Sequence, residues 1–331
     1  MNLAINGFGR IGRHSLKAAL TKKGIKIVAI NDLTDTKTLA HLLKHDTAYD
    51  TYKLSVEHDE KNIIVDGKKI PVFAEKDPSL LPWAKLKVDV VLECTGRFTK
   101  KEDAMMHIKA GAKKVVISAP AKGGGVPTYV RGVNCTKVHK EEELVINNAS
   151  CTTNSIAPVM AVLEETFGIE KAMMTTVHAY TADQNLQDGP HKDLRRARAA
   201  AQNIVPTTTG AAKAVGEVIP SVKGNFDGLA IRVPVLTVSL SDVVVVLKKN
   251  VTKEEVNEAY VKASKSERFK NIIAVTNEPL VSSDFIGNTN STIVDLSLTN
   301  VVGGNLVKII AWYDNEYGYA HRLVEIAQMY C

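Results

Sequence analysis

The sequence predicts an α/β protein in which a doubly wound parallel sheet is followed by a mixed α+β part. Its 331 residues correspond to about two domains at roughly 150 residues each. Short apolar runs alternate with helical patterns along the first half of the chain, as in parallel sheets covered by helices. A glycine-rich turn links the first apolar run to the first helical pattern, which is a common beginning of such a sheet.

Composition narrows the class of protein. Apolar residues make up 45% and charged residues 24%, which excludes disordered, collagen-like and coiled-coil classes. A net charge of +6 is too small for this length to indicate a nucleic-acid or membrane partner. The four cysteines form no C-x-x-C pair, so neither a disulfide framework nor a zinc ribbon is expected. Because no leader pattern or long apolar run is visible, we expect a reduced, cytoplasmic protein without a membrane span.

The first elements follow one another in a recognisable order. Leu3–Ile5 is predicted to be a strand, and Gly7–Gly12 after it has the pattern G-x-G-x-x-G. Apolar residues at helical spacing predict a helix over Ser15–Lys23. The second strand, Ile25–Ile30, ends just before Asp32. Strand, turn, helix, strand and acid are the parts of a dinucleotide-binding unit.

Each of these residue types has a physical role in such a unit. Gly7 allows the tight turn, Gly9 lets a pyrophosphate approach the backbone, and Gly12 lets the helix pack on the strand. The helix N-terminus offers N–H groups and a positive dipole end to the phosphates. A carboxylate at Asp32 binds ribose hydroxyls and repels a 2′-phosphate, which favours NAD over NADP.

The alternation continues along the first half of the chain. A helix is expected around Leu39–Leu43, where His41 and His45 share one face without a third ligand, so no metal site is predicted. The other predicted elements are a hairpin with arms Asn62–Val65 and Lys69–Phe73, strands at Val88–Leu92, Lys113–Ser118 and Leu144–Asn147, and a helix at Lys101–Ala110.

A cysteine stands at the predicted start of a helix. Cys151 follows the strand Leu144–Asn147, and apolar residues at helical spacing continue from it to Phe167. The positive end of the helix dipole there favours thiolate over thiol. A further strand ends at His178, so a Cys–His pair at neighbouring strand ends is one interpretation and a structural histidine is the other.

Six segments in order along the chain resemble one known family. They are Asn6–Arg13, Ala149–Asn154, His178–Thr181, Pro206–Ala214, Arg232–Pro234 and Trp312–Glu316. The family is phosphorylating glyceraldehyde-3-phosphate dehydrogenase of the bacterial glycolytic type, for which the Ala149–Asn154 motif is highly specific. The resemblance implies a Rossmann doubly wound parallel sheet plus an α+β catalytic domain with a mostly antiparallel sheet.

The resemblance also implies domain boundaries. Residues 1–150 would form the NAD-binding domain and 151–315 the catalytic domain, with a C-terminal helix at 316–331 packing back on the first. Apolar runs predict strands of the second domain at Leu229–Val233, Val235–Leu240, Val243–Leu247, Ile272–Val275, Ile293–Leu296 and Val307–Trp312, and helices are expected at Gly210–Val218, Lys253–Ala263 and Tyr317–Met329.

The implied reaction is the NAD-dependent oxidation of D-glyceraldehyde 3-phosphate to 1,3-bisphosphoglycerate. Cys151 matches the nucleophile that forms a thiohemiacetal and then a thioester, and His178 matches the base. Inorganic phosphate then cleaves the thioester. The matching substrate-phosphate residues are Thr181 and Arg232, and the matching inorganic-phosphate residues are Ser150, Thr152, Arg196, Thr209 and Gly210. The matching cofactor contacts are Asn6, Gly7, Gly9, Arg10, Ile11, Gly12, Asp32, Lys76, Thr95, Ser118 and Asn315, the last of these on the nicotinamide carboxamide.

Alternatives remain at this stage. Erythrose 4-phosphate is a related substrate, whereas a binding protein on a dinucleotide scaffold is disfavoured by the intact Cys151, His178 and Arg232 set. In the basic cluster Lys192–Arg198, the resemblance implies that Arg196 binds phosphate and that Lys192, Arg195 and Arg198 form ion pairs between the subunits of a homotetramer, so nucleic acid is disfavoured. Gly189-Pro190 stands where many NAD-specific members have Leu-Pro, which leaves some NADP use open.

Overall fold

The computed structural model describes residues 1–138 and 141–331. They form two compact units, each built around its own sheet. The first unit comprises Met1–Tyr129, Cys135–Ala149 and Ala320–Cys331, and the second comprises Val130–Asn134 and Ser150–Tyr319. None of the helices in these ranges has both the length and the apolar character needed to cross a membrane.

The first unit alternates strands and helices, as the sequence predicts. Its helices are α1 (Arg10–Leu20), α2 (Thr36–Lys44) and α3 (Lys101–Lys109). Its strands are β1 (Asn2–Asn6), β2 (Lys26–Asn31), β3 (His45–Asp46), β4 (Asp50–Thr51), β5 (Val56–His58), β6 (Asn62–Val65), β7 (Lys68–Phe73), β8 (Val90–Glu93), β9 (Lys114–Ile117) and β10 (Val145–Asn147).

The second unit is an α+β structure. Its strands are β11 (Ile169–Ala179), β12 (Val205–Thr208), β13 (Phe226–Val233), β14 (Ser239–Leu247), β15 (Ile273–Thr276), β16 (Thr292–Asp295), β17 (Asn300–Val302) and β18 (Leu306–Tyr313). Its helices are α4 (Cys151–Phe167), α5 (Ala211–Val218) and α6 (Lys253–Lys265), and the last helix, α7 (Tyr317–Tyr330), begins here and continues into the first unit.

The two sheets confirm the predicted fold class. In the first unit the strand order is β10-β9-β8-β1-β2-β7-β6-β5, and the pairs from β10 to β7 are parallel. This order is doubly wound, with its switch point between β1 and β8, where ligands bind outside the carboxyl ends of the strands. In the second unit the order is β12-β13-β11-β14-β18-β16-β15, and most neighbouring pairs are antiparallel.

Apolar side chains cover both faces of the parallel sheet. In β1, Leu3 and Ile5 enter one core cluster while Ala4 enters the other, and all three are fully buried. Burial on both faces explains why these strands occur as continuous apolar runs in the sequence. Leu323 and Val324 of α7 pack into the same cluster as Leu3, and each such side chain contributes roughly 1.5–3 kcal/mol.

Two predicted boundaries are wrong, for different reasons. Helix α1 begins at Arg10 and not at Ser15, because its first turn starts directly from the glycine turn and carries no regular apolar stripe. The runs Val235–Leu240 and Val243–Leu247 were expected to be two strands, but Ser239–Leu247 is one strand. The buried Ser241 interrupts the apolar pattern without interrupting the strand.

Candidate active site

The turn after β1 brings backbone atoms close together and leaves an open approach. Gly7 has a φ of 89°, and a Cβ there would lie 2.7 Å from the amide nitrogen of Thr95. A Cβ on Gly12 would lie 2.1 Å from the carbonyl oxygen of Gly7, so α1 packs directly on the turn. A Cβ on Gly9, the N-cap of α1, would meet nothing within 4 Å. The first turn of α1 therefore offers its N–H groups to an anion at an uncrowded position.

A cavity of about 550 Å³ lies beside this turn. The predicted residues that line it are Asn6, Gly7, Gly9, Asp32, Lys76 and Thr95. It is also lined by residues that the sequence did not single out, namely Asn31, Leu33, Glu75, Cys94, Arg97 and Phe98. Cys94 could have been predicted from its place directly after the strand β8, because ligands lie at the carboxyl edge of such sheets.

Asp32 is held in place at the end of β2. Its carboxylate accepts the backbone N–H of Phe8 at 2.7 Å and that of Thr34 at 3.0 Å. An open glycine turn for a pyrophosphate and a fixed carboxylate for a ribose diol fit the two ends of an adenosine diphosphate group. The residues present therefore fit NAD.

Three other predicted cofactor residues have identifiable surroundings. Arg10 forms an ion pair with Asp46 at 2.7 Å. Ile11 is partly buried against the apolar core of the first unit. The backbone N–H of Ser118 donates to the carbonyl oxygen of Glu93 at 3.0 Å, at the end of β9.

In the second unit, Cys151 is the first residue of α4. Ser150 caps this helix, because its hydroxyl accepts the backbone N–H of Thr153 at 3.0 Å. Ala149, just before the cap, adopts a φ of 52°, which a non-glycine residue rarely does. Cys151 is a free, half-buried thiol. Backbone strain of this kind is concentrated at functional sites.

His178 lies at the end of β11 and faces the thiol. Its Nε2 atom is 3.5 Å from the Sγ atom of Cys151, and its Nδ1 atom is 2.6 Å from the carbonyl oxygen of Ala179. A nitrogen and an oxygen approach this closely only with a hydrogen between them, so we assign the ring proton to Nδ1. Nε2 then presents its lone pair to the thiol.

Arg232 lies beside this pair because of strand register. It is the register partner of His178 on the neighbouring parallel strand β13. Its Nη1 atom donates to the carbonyl oxygen of Ala179 at 3.1 Å and to the hydroxyl of Thr181 at 3.0 Å, and it lies 3.2 Å from Nδ1 of His178. A guanidinium therefore stands next to the Cys–His pair.

Burial decides the protonation of the pair. It raises the pKa of Cys151, although the positive charge of Arg232 and a hydrogen bond from Thr152 oppose this. Burial also lowers the pKa of His178 to about 3, and Arg232 adds to that effect. Both shifts favour the neutral forms, a thiol and an imidazole, and so oppose the thiolate that the helix dipole favours.

The predicted anion-binding residues are connected through Asp183, which the sequence did not single out. The Thr181 hydroxyl donates to the Asp183 carboxylate, and Arg196 forms an ion pair with the same carboxylate. Burial would raise the pKa of Asp183, but the hydrogen bond from Thr181 and the charges of Arg232 and Arg196 outweigh it and lower the pKa. A continuous chain of contacts thus runs from Arg232 to Arg196.

The other predicted residues of the second unit lie at element ends. Gly210 is the N-cap of α5, and the hydroxyl of Thr209 accepts the N–H of Ala211 at 3.2 Å. Asn315 follows β18, and its Oδ1 atom accepts the hydroxyl of Ser239 at 3.0 Å. The Asn315 amide is thereby held in one orientation.

Tyr313 is a buried residue that motif spacing did not single out for this site. Its hydroxyl lies 2.9 Å from the Thr152 hydroxyl, next to Cys151, and 2.8 Å from the Thr176 hydroxyl on β11. It therefore ties the first turn of α4 to the strand that carries His178. Only the pairing of β18 with β14, which in turn pairs with β11, brings it there.

Comparison with known proteins identifies the family. The model of the glyceraldehyde 3-phosphate dehydrogenase NAD binding domain matches residues 1–101, and that of the C-terminal domain matches 150–315. Glyceraldehyde-3-phosphate dehydrogenase of Geobacillus stearothermophilus is 54% identical over 99% of this chain and 97% of its own length. The protein of that name from Streptomyces coelicolor is 55% identical over 98% and 97%, and that from Borreliella burgdorferi is 54% identical over 99% of both. The chain therefore belongs to the glyceraldehyde-3-phosphate dehydrogenase family.

Proposed function

We propose that this chain is a glycolytic, NAD-dependent glyceraldehyde-3-phosphate dehydrogenase that makes 1,3-bisphosphoglycerate. The observation that carries the proposal is the 3.5 Å approach of His178 Nε2 to Cys151 Sγ, with Arg232 beside the pair. A nucleophile, a base and a phosphate-binding cation are the groups that this reaction needs. The relatives compared bear the glyceraldehyde-3-phosphate name, so this aldehyde is proposed in preference to erythrose 4-phosphate.

Cys151 is the proposed nucleophile. As its sulfur attacks the aldehyde carbon, Nε2 of His178 accepts the thiol proton and passes it to the carbonyl oxygen, which gives a thiohemiacetal. When bound, NAD accepts the hydride from the substrate carbon. Nε2 then takes up the hydroxyl proton, and the carbonyl group of a thioester forms on Cys151. Because the neutral imidazole has a free lone pair at Nε2, it is in the correct form for both transfers.

Two anion sites serve the two phosphates. We assign Arg232 and Thr181 to the phosphate of the aldehyde. The attacking inorganic phosphate is assigned to Ser150, Thr152, Arg196, Thr209 and Gly210. Guanidinium groups, hydroxyls and a helix N-terminus are suitable donors to phosphate oxygens. Attack of phosphate on the thioester carbon breaks the C–S bond, and Cys151 leaves as the thiolate, which takes back the proton held by Nε2 of His178.

We assign NAD to the first unit, and the resemblance makes Asn315 the proposed contact of its carboxamide. The open backbone at Gly9 and the fixed carboxylate of Asp32 support this assignment. The other proposed contacts are Asn6, Gly7, Arg10, Ile11, Gly12, Lys76, Thr95 and Ser118. We also propose that residues 1–150 with 316–331 act as the NAD-binding domain and 151–315 as the catalytic domain.

A homotetramer and a cytoplasmic location complete the proposal. Leu186, Leu194 and Ile204 are at least 70% exposed in or beside the segment that carries Arg196, which supports burial of this segment by other subunits. Cys94, Cys135 and Cys151 carry free thiols, which supports a reducing compartment. Sedimentation equilibrium tests the first point, and a monomer at micromolar concentration would contradict it.

An assay of NADH formation tests the reaction. We expect turnover with glyceraldehyde 3-phosphate and NAD that requires inorganic phosphate, and slower turnover with erythrose 4-phosphate or NADP. Cys151→Ser should lower kcat by at least about 10³-fold, whereas the control Cys331→Ser, at an exposed cysteine, should not change it. Turnover independent of phosphate would contradict the acyl-phosphate step, and absence of turnover would contradict the enzyme assignment.

A further inference from the structure

Three neighbouring strands of the parallel sheet end in buried polar residues. Asn31, Asn6 and Glu93 are the last residues of β2, β1 and β8, and Asn6 is the register partner of both others. Their side chains are at most 5% exposed. The proposed function uses only Asn6 among them, so the buried carboxylate of Glu93 has no role yet.

The Glu93 carboxylate accepts four hydrogen bonds. Its Oε2 atom lies 2.5 Å from the Asn6 amide nitrogen and 3.1 Å from Nε2 of His107. Its Oε1 atom accepts the backbone N–H of Thr95 at 2.8 Å and also the Thr95 hydroxyl. A buried carboxylate is tolerated only when donors surround it in this way.

One end of this network is oriented by the backbone of Glu75. The N–H of Glu75 donates to Oδ1 of Asn31 at 2.9 Å, and the carbonyl oxygen of Glu75 accepts from Nδ2 of Asn31 at the same distance. Asn31 must therefore donate through Nδ2 to Oδ1 of Asn6, at 2.7 Å. That leaves the Asn6 nitrogen facing Glu93 as a donor.

The other end is oriented by an indole. Trp83, which is fully buried, donates its Nε1–H to Nδ1 of His107 at 3.0 Å. Because an indole nitrogen only donates, Nδ1 of His107 is the acceptor and the ring proton is on Nε2. His107 therefore also faces Glu93 as a donor, and only an acceptor fits between the two ends.

The network is continuous with the wall of the cavity. Thr95 and Asn6, which both donate to Glu93, line the cavity that we assign to NAD. A Cβ on Gly7 would lie 2.7 Å from the Thr95 nitrogen, so the glycine turn packs against the same backbone segment that Glu93 holds. A displacement at Thr95 would move or crowd the turn.

We propose that Glu93 is a positioning residue for NAD. Its carboxylate holds the Thr95 segment and the Asn6 side chain against the glycine turn, and His107 and Trp83 fix the orientation of that carboxylate. This inference rests on the proposed function. A glutamine at this position would be nearly isosteric, yet its amide hydrogens would face Asn6 and His107 or Thr95, all of which donate. We therefore expect Glu93→Gln to lower the affinity for NAD without changing the rate of the chemical step.

The test compares Glu93→Gln with the wild-type enzyme. We expect the dissociation constant for NAD, measured by titration calorimetry, to rise at least about tenfold. The kcat value at saturating NAD should stay within about twofold, since Glu93 touches no reacting group. The matched control is Val91→Ala, on the same strand and fully buried in an apolar cluster, which should lower thermal stability and leave NAD affinity unchanged.

A second pair of variants covers the case in which Glu93→Gln does not fold. His107→Gln keeps a donor for Glu93 and an acceptor for Trp83, whereas His107→Leu keeps neither. We expect the affinity for NAD to fall clearly more in His107→Leu than in His107→Gln. Near-normal affinity in His107→Gln would show that the hydrogen bonds of His107 matter, and not only the space that its side chain fills. Equal affinities in all variants that fold, or losses shared by Val91→Ala, would overturn the inference. Failure of the wild-type protein to bind NAD would instead overturn the proposed function.

Discussion

The Nε2 atom of His178 lies 3.5 Å from the Sγ atom of Cys151, although the two residues come from the end of β11 and the start of α4. Burial raises the pKa of the thiol and lowers that of the imidazole, so both shifts favour the neutral forms of the pair. We therefore expect the thiol to be activated by transfer of its proton to His178.

Replacement of His178 by asparagine removes the proton acceptor. We expect kcat to fall by about 10²- to 10⁴-fold, which is the usual contribution of a general base. The pH profile of Cys151 alkylation by iodoacetamide should also move to higher pH, because the thiolate then forms without a neighbouring group that takes up its proton. The measurement is best made in a Cys331→Ser background, so that the exposed thiol does not react. An unchanged profile would argue against the pairing.

Arg232→Gln should shift the pKa values of both Cys151 and His178 in a defined direction. The positive charge of Arg232 lowers the pKa of Cys151 and of His178, so its removal should raise both. The alkylation profile therefore moves to higher pH, and KM for glyceraldehyde 3-phosphate rises at least about tenfold through loss of a charged donor. Lys262→Gln is the control, because it also removes one positive charge and Lys262 is an exposed residue paired with Glu258. If both variants raised KM equally, Arg232 would have no specific role.

Asp32→Ala tests the discrimination between cofactors. The carboxylate is held by the N–H groups of Phe8 and Thr34, and without it a 2′-phosphate is no longer repelled. We expect kcat/KM for NAD to fall and that for NADP to rise, so that the preference narrows by at least about tenfold. Asp35→Ala is the control, since this side chain caps α2 and should affect stability alone. An undiminished NAD preference in Asp32→Ala would contradict this role.

The buried imidazole also predicts an acid dependence of stability. The pKa of His178 falls from 6.5 to about 3 on folding, so between these values the unfolded chain binds one more proton than the native protein. The free energy of unfolding must therefore fall as the pH is lowered through this window. Urea titrations at about pH 6.5 and pH 5 give the loss in free energy of unfolding between these two pH values. We expect this loss to be smaller in His178→Asn than in the wild type by about 2 kcal/mol. The exposed His58→Asn variant should behave like the wild type.

The sequence by itself determined the features that depend on local spacing. The strand, glycine turn, helix and acid of residues 3–32 predict a doubly wound sheet, because each part occupies a fixed offset within one βαβ unit. Cys151 at the start of α4 was predicted in the same way, since it lies between the end of a predicted strand and the apolar helical pattern that begins at Ile156. Such features need no knowledge of which elements become neighbours.

The tertiary structure decided everything that depends on pairing and burial. The register of β11 with β13 brings Arg232 beside His178, and the ends of β2, β1 and β8 bring Glu93 under Thr95. Asp183 contacts both Thr181 and Arg196, which belong to two proposed anion sites. Burial opposes the ionisation of Cys151 that the helix dipole favours, because desolvation outweighs the neighbouring positive charge. The helical pattern predicts the position of the thiol in the fold, whereas its pKa depends on the groups that surround it in the folded protein.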